Sequence, residues 1–457
     1  MWFSKKNRED KIAEAIQKSG QSYASIVAKQ FKKNRLAVWS LRFFILILSI
    51  ALFADFLAND KPIFCSVNVM VTNENGVKEK KTRIMSPVIH QYFVYLKLSK
   101  WDEVFLTNDW AQPSEQTFTY NYVIFPPITY RPEKTDVANS SLGPFEKQRL
   151  KKYKSRHYLG TDHMGRDVFS GMIHGTRIAM LVGIVAMSIA TFIGIILGAL
   201  AGYFGDSRLR MSRAAYLMGV IGLIAYVFFA FVVRGYSMGD NIGSGYLIYE
   251  MLVNTLLFTI IMFLAYLLSK LFGYIPFLGR KTTVPVDIIV MRLIEIVTSI
   301  PVLILILAIL AIIKTSSIFY VMAIIGAVSW TAIAKFIRAE LLRVRSLEYI
   351  EAAQAFGYSE FRIILRHAIP NALAPVLIAV AFGIASAILT ESFLSFIGVG
   401  VPPEQVTWGS LLKASRDAGI KAWWLAVFPG VAIFVTVTIF NLIGEGLTDA
   451  LDPRLKQ

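Results

Sequence analysis

The chain has 457 residues, of which 55% are hydrophobic and only 17% charged, proportions far from those of a soluble globular domain. A formal net charge of +16 invites a nucleic-acid reading, but the lysines and arginines sit at the ends of apolar runs and form no basic patch interleaved with aromatics, which argues against that class. The single cysteine, Cys65, excludes an intrachain disulfide and a cysteine-based metal cluster. What remains is an all-α polytopic membrane protein, with lipid as its solvent.

Residues 1–35 carry nine Lys or Arg (Lys5, Lys6, Arg8, Lys11, Lys18, Lys29, Lys32, Lys33 and Arg35), a flank that holds this end in the cytoplasm. The first span follows at 36–57, with Arg42 snorkelling; a cleavable signal is the rival reading, but no small-residue cleavage site follows. Residues 58–156 form a polar insertion on the external side, with strand-like pieces at 66–72 and 121–125 broken by Pro113, Pro126, Pro127 and Pro132. At 157–181 glycines punctuate a surface element in which Asp162, Arg166 and Asp167 can pair across turns. His157, His163 and His174 are spaced by six and eleven, which matches no zinc pattern, so a hydrogen-bonded loop is expected there. The second transmembrane helix, with its lead-in, occupies 157–213, and Gly194, Gly198 and Gly202 share one face that permits close helix packing.

Two further apolar runs, 214–233 and 246–271, make an inserted hairpin within 214–285. Arg208, Arg210 and Arg213 precede it, Arg234 and Asp240 lie at its turn, and Lys270, Arg280 and Lys281 follow, so the charges fit a hairpin that leaves the cytoplasm and returns. Peripheral packing and a re-entrant course are the alternatives. Residues 273–282, GYIPFLGRKT, look like a phosphate-binding loop but have five residues between the glycines and an arginine before the lysine, so the chain is not expected to bind ATP itself.

In 286–457 the chain resumes with Asp287, which can meet Met291 one turn on, and Arg292, which can pair with Glu295. A third span is expected over 296–313 and a fourth over 317–333, the latter followed by Lys335, Arg338, Arg343 and Arg345, which put the loop 341–371 in the cytoplasm. Within that loop, 348–371 reads as helix, tight break, helix. A first helix opened by Ser346 carries Tyr349, Ala352, Ala353 and Phe356 on one face with Glu348 and Glu351 on its flank; Gly357 stops it. Ser359 can cap a second helix, with Phe361, Ile364 and Leu365 as its stripe and Pro370 as its end. Two alanines on an exposed face let another protein's surface approach the backbone; an interfacial amphipathic helix without a partner is the alternative. Span 372–397 contains Glu391, either a pathway carboxyl or a structural hydrogen bond, and ends before GVGVPP, 398–403. The last span, 423–443, opens with an interfacial pair, Trp423 and Trp424, and brings the count to eight crossings.

Glu351, Ala352, Ala353, Gly357 and Pro370 resemble the EAA loop of inner-membrane subunits of ABC importers. His367 departs from the broader pattern, and His-x-x-Pro-Asn is the form typical of peptide permeases. Residues 157–181 are similar to the segment before the second span in the C-type permease of dipeptide, oligopeptide and nickel importers. Asp287, Met291, Arg292, Glu295, Ser299 and Pro301 match that family's third span, and 441–456 its C-terminus. Residues 58–62 and 125–128 look like the microcin-C-type extended peptide subgroup, whereas the hairpin is a departure.

The resemblance implies a type I ABC importer permease core of six spans in a bacterial inner membrane. It implies ATPase coupling through Tyr349, Glu351, Ala352, Ala353, Phe356 and Gly357, with enlargement of Ala353 expected to uncouple transport. It further implies a second homologous permease, two cytoplasmic ATPases that hold ATP and Mg, and an external substrate-binding protein, with no cofactor, metal or catalytic residue in this chain. An ion-coupled secondary transporter using Glu391 is the alternative. A membrane hydrolase ranks last, because Ser386, Ser392 and Ser395 have no histidine or lysine beside them.

Overall fold

The computed structural model describes residues 23–72, 78–95, 110, 118–150, 152–234, 247–313, 317–402 and 405–451. Lys5, Lys6, Arg8, Lys11, Lys18, Pro113, Asp240, Pro403 and the tail beyond Leu451 lie outside them. Helix α1 (Tyr23–Phe31) leads into α2 (Arg35–Leu52), the first span. Asn34 between them caps α2, accepting from Ala37 N at 3.1 Å, and donates to Asp449 at 3.0 Å, so this junction is fixed to the last span. Arg42, expected to snorkel, has its guanidinium 4.8 Å from the Trp39 ring centre.

The insertion contains an antiparallel sheet in the order β2-β1-β3, with β1 Phe64–Thr72, β2 Lys78–Met85 and β3 Phe118–Ile124, followed along the chain from β2 by α3 (Pro87–Tyr95). Both expected strands are present. The edge strand β2 was hidden by its charge: KEKKTRIM lacks the apolar alternation that marks a half-buried strand. Cys65, Val67, Met85 and Trp110 fill the covered face, while Asn68 bonds Asn121 at 2.6 Å and accepts from Thr82 at 2.7 Å across the open one.

The stretch 157–167 is not the surface element anticipated. His157 is fully buried, stacked on Tyr130 with ring centres 4.1 Å apart, and its Nδ1 lies 2.7 Å from Asp167. Arg166 pairs with Asp162 at 2.7 Å as expected. Asp167 instead caps the next helix, accepting from Ser170 N at 2.6 Å. A carboxylate that serves a helix N-terminus and an imidazole at once makes charge-assisted bonds that compensate its burial. His174, about two turns into that helix, bonds Ala58 O at 2.8 Å.

That helix, α4 (Val168–Ala199, running on as a π turn Leu200–Phe204), is the centre of the bundle. Its glycine stripe lies against α9 (Ile318–Val344), where a Cβ on Gly198 would stand 2.6 Å from Ala334 O and one on Gly202 2.6 Å from Arg338 O. Between them in sequence, β4 (Arg210–Ser212) pairs with β5 (Lys281–Thr283), and this ribbon carries the expected hairpin, α5 (Arg213–Val227, then a π turn to Val233) and α6 (Leu247–Phe272). Its two helices pack on one another, with Gly222 against Ala265 and Tyr226 edge-on to Phe258 at 5.0 Å. Residues 273–282 form a four-residue helical turn, Pro276–Gly279, and β5.

The third span is not one straight helix. α7 (Val286–Ser299) and α8 (Val302–Ile312) meet at an angle of 83°. Pro301 has no N–H to donate and forces Ile300 into an extended conformation (φ −99°, ψ 131°), so the helix breaks there. Arg292 and Glu295 pair at 2.5 Å as anticipated. Asp287 instead takes a two-pronged bond from Arg338 on α9, one arm at 2.6 Å, because a planar guanidinium offers a carboxylate more than Met291 can.

α11 (Ile369–Ile397) is followed by α12 (Trp408–Ala418), a short amphipathic helix opened by a capping box of Thr407 and Ser410, and by α13 (Trp424–Leu451). Trp423 is exposed, but Trp424 is buried and donates to Thr161 O at 3.1 Å, so only one of the pair stands at an interface. Among the described residues seven helices are long and apolar enough to cross a bilayer, and the bent α7–α8 pair makes an eighth if taken as one span. The protein is a multi-pass membrane protein.

Candidate coupling surface

At the basic end of the bundle, α9 finishes at Arg345 and the chain turns into α10 (Glu348–Ala355), whose N-cap is Leu347. Ser346, expected to open the helix, donates its hydroxyl to Arg343 O at 2.8 Å instead. Gly357 has φ +77°, the left-handed conformation anticipated, and a Cβ there would meet nothing within 4 Å. Ser359 stands at the N-cap of the turn Glu360–Ile363 without a side-chain bond to it.

Pro370 does not end the second helix. Glu360–Ile363 passes through a π turn, Ile364–Ala368, straight into α11, which carries Pro370 in its first turn. The wider π turn just before it accommodates the missing N–H and relieves the ring's clash with the preceding carbonyls. The second half of the loop is thus rigidly continuous with a membrane span.

The faces of α10 differ from the sequence picture at one position. Tyr349, Glu351, Ala352 and Phe356 are exposed, Phe356 by 81%, whereas Ala353 is only 7% exposed. Ala353 joins Ile350, Ile363, Leu341 and Val344 in the core. A helix lying flat on a bundle buries the positions at i and i+3, which here are Ile350 and Ala353. Beyond the break, Tyr358 and Phe361 extend the exposed aromatic patch. The loop therefore offers a small residue, Ala352, between the exposed aromatics Tyr349 and Phe356, above a well-packed floor.

Sequence reasoning missed the residue beneath it. Tyr203, in the π turn that ends α4, is fully buried. Its hydroxyl accepts from Gln354 Nε2 at 3.3 Å and donates to Glu360, so it grips the loop on both sides of Gly357. Arg345 donates to the carbonyls of Gly202 and Tyr203 at 3.3 and 3.5 Å. Asn371 completes the attachment, bonding the Tyr349 hydroxyl at 3.2 Å. A tyrosine directly after the last glycine of a packing stripe was the available signal. Tyr203→Phe keeps the ring and deletes both bonds, a loss of about 1–2 kcal/mol. Amide exchange over 348–363 should then quicken by roughly tenfold, and unchanged exchange would refute the clamp.

Glu391 lies elsewhere, toward the end of α11 that faces α12. It is 1% exposed and accepts from Ser395 at 2.7 Å and Ser392 at 3.4 Å, with the Thr407 side chain as a further partner. It ties α11 to the start of α12.

Comparison with known proteins agrees with this geometry. Residues 269–457 match the description "binding-protein-dependent transport system inner membrane component", and 22–70 match "N-terminal TM domain of oligopeptide transport permease C". The chain is 49% identical over 123 residues to a putative peptide transport system permease protein of Brucella suis, covering 27% of this chain and 42% of that relative's length. It is 26% identical to a peptidoglycan transport system permease protein of Agrobacterium fabrum, over 93% of this chain and 92% of the relative. An oligopeptide transport system permease protein of Haemophilus influenzae is 28% identical, over 72% of this chain and 78% of its own. All but the end of the hairpin falls between the two matched regions, and the loop 341–371 with the spans on either side of it falls inside the second. Residues 269–457 thus carry the inner-membrane component of binding-protein-dependent transport systems, and the chain as a whole is similar to peptide permeases of the C type.

Proposed function

We propose that this chain is one transmembrane subunit of an ATP-driven importer for peptides or peptide-like solutes. A second related permease completes the pathway, two cytoplasmic ATPases bind and hydrolyse ATP with Mg, and an external binding protein delivers the solute. The observation that carries the reading is the exposed patch of Tyr349, Ala352 and Phe356, held to the central span through buried Tyr203, Ile350 and Ala353. Such a patch transmits force because its floor belongs to α4 and its far end to α11. Closure of the ATPase pair moves α10, and the bundle rocks between inward-facing and outward-facing states, biased by the differential affinity of ATP for the two. The names of the relatives, which include peptide, oligopeptide and peptidoglycan permeases, support the solute class.

The test begins with purification of tagged full-length chain from its own membranes and identification of what accompanies it. An ABC ATPase should be present in stoichiometric amount, and uptake into vesicles should stop on ATP depletion and survive an ionophore. The opposite pattern, with no ATPase and collapse on dissipating the ion gradient, would turn the assignment to a secondary transporter that uses Glu391.

A further inference from the structure

At the insertion end, the first span, α3, α4, α9 and the loop after β3 converge on a cavity of about 480 Å³. That volume lies in the range of small-molecule sites and suits two or three amino-acid residues. Its floor is apolar, Ile178 and Leu181 of α4 with Met322 of α9. Its carboxylates and guanidinium groups come in two ion pairs, Asp55 with Arg177 at 2.7 Å and Arg131 with Glu133 at 2.6 Å, and Gln91, Tyr92, His174 and Gln405 line it as well.

Two cations and two anions sum to zero, so the lining neither attracts a simple anion nor a simple cation. It complements a molecule that carries one charge of each sign on opposite ends. The two pairs have different standing. Asp55 also accepts from the Tyr92 hydroxyl, and Arg177 also donates to Ala51 O at 2.9 Å, so that pair is a fixed wall. Arg131 and Glu133 are each about one-third exposed, and an ion pair in that setting contributes little, so its members can exchange one another for a ligand's ends. The first turn of α9, at Ile318 and Phe319, opens on the same space and directs the positive end of a long helix toward it.

We propose that this cavity binds a short zwitterionic peptide on the external side, its carboxylate toward Arg131 and the start of α9, its ammonium toward Glu133 and Asp55, and a side chain on the apolar floor. The site would hold solute within the permease before the pathway opens. It deepens the transport reading and rests on it only for the direction of travel.

The test uses the chain's cysteine content. Cys65, the only cysteine, is buried in the sheet and its thiol is pushed up to about 12, which leaves it inert. A Gln405→Cys chain places a thiol at the mouth of the cavity, where a membrane-impermeant maleimide added from outside can reach it. Trialanine should slow labelling by about fivefold or more at several times its dissociation constant, whereas N-acetyl-trialanine and trialanine amide should not. Combining Arg131→Gln and Glu133→Gln should abolish protection without changing the labelling rate in the absence of peptide. Equal protection by all three peptides would overturn the charge matching; protection by none, or a thiol that never reacts, would overturn the site. ATP-driven uptake by the unlabelled Gln405→Cys complex reports the transport reading separately, so either idea can fail alone.

Discussion

An Ala352→Trp chain is expected to reach the membrane at the wild-type level and to lose ATP-driven uptake by roughly tenfold or more, since forcing an indole into a closely packed contact costs about 1–3 kcal/mol. Ala352 is exposed on α10 and its side chain supports nothing in the bundle, so its enlargement leaves the fold alone. Ala353, the position that the sequence alone singles out for this test, is packed among Ile350, Ile363 and Leu341. A bulky residue there would push the loop off its floor and confuse misfolding with uncoupling. The measurement is paired: chain abundance in purified membranes, and the ratio of solute taken up to ATP hydrolysed. Wild-type uptake by Ala352→Trp would remove this face from the coupling contact.

Gly198→Leu is expected to destabilise the folded chain severely. Its Cβ would sit 2.6 Å from Ala334 O and 2.9 Å from Ile337 Cβ, and the first of these is backbone, which cannot step aside. Relief requires α4 and α9 to separate along their whole contact, which also withdraws Gly194 and Gly202 from their seats. The cost exceeds the usual overpacking range of about 1–3 kcal/mol. Gly219→Leu on α5 is the control, because nothing lies within 4 Å of a Cβ there. Thermal unfolding in detergent should separate the two by many degrees; equal midpoints would mean that the glycine stripe is not what joins the spans.

The spans, the hairpin and the turn at Gly357 were legible in the sequence because each rests on local features: a long apolar run, a change from apolar to basic residues, a glycine free to take positive φ. The site was legible in outline for the same reason, since its small and aromatic residues recur at helical spacing. What escaped depends on partners far away in the chain. Tyr203 looks like an ordinary interfacial tyrosine until Gln354 and Glu360 are brought to it. Asp287 has a plausible neighbour one turn on and a better one, Arg338, 51 positions away. Ala353 and Ala352 are adjacent and identical, and only the surface beneath α10 tells them apart. The charges near 157–167 suggested water, yet a buried imidazole and a helix end were what they served. Prolines misled in both directions: Pro301 breaks a span that composition presents as continuous, and Pro370 rides inside a helix that it was expected to end.

The two strands that carry the hairpin have an architectural corollary. Ser212 stands directly across from Lys281, so the polypeptide departs from the remaining spans and rejoins them at a single doorway. Joining these residues through Asn-Gly, whose backbone suits the tightest antiparallel reversal, excises 213–280 without severing any contact between the remaining spans. The same doorway accepts a foreign pair of helices as readily as it releases this one, which makes it a natural place to graft a reporter or a second membrane anchor.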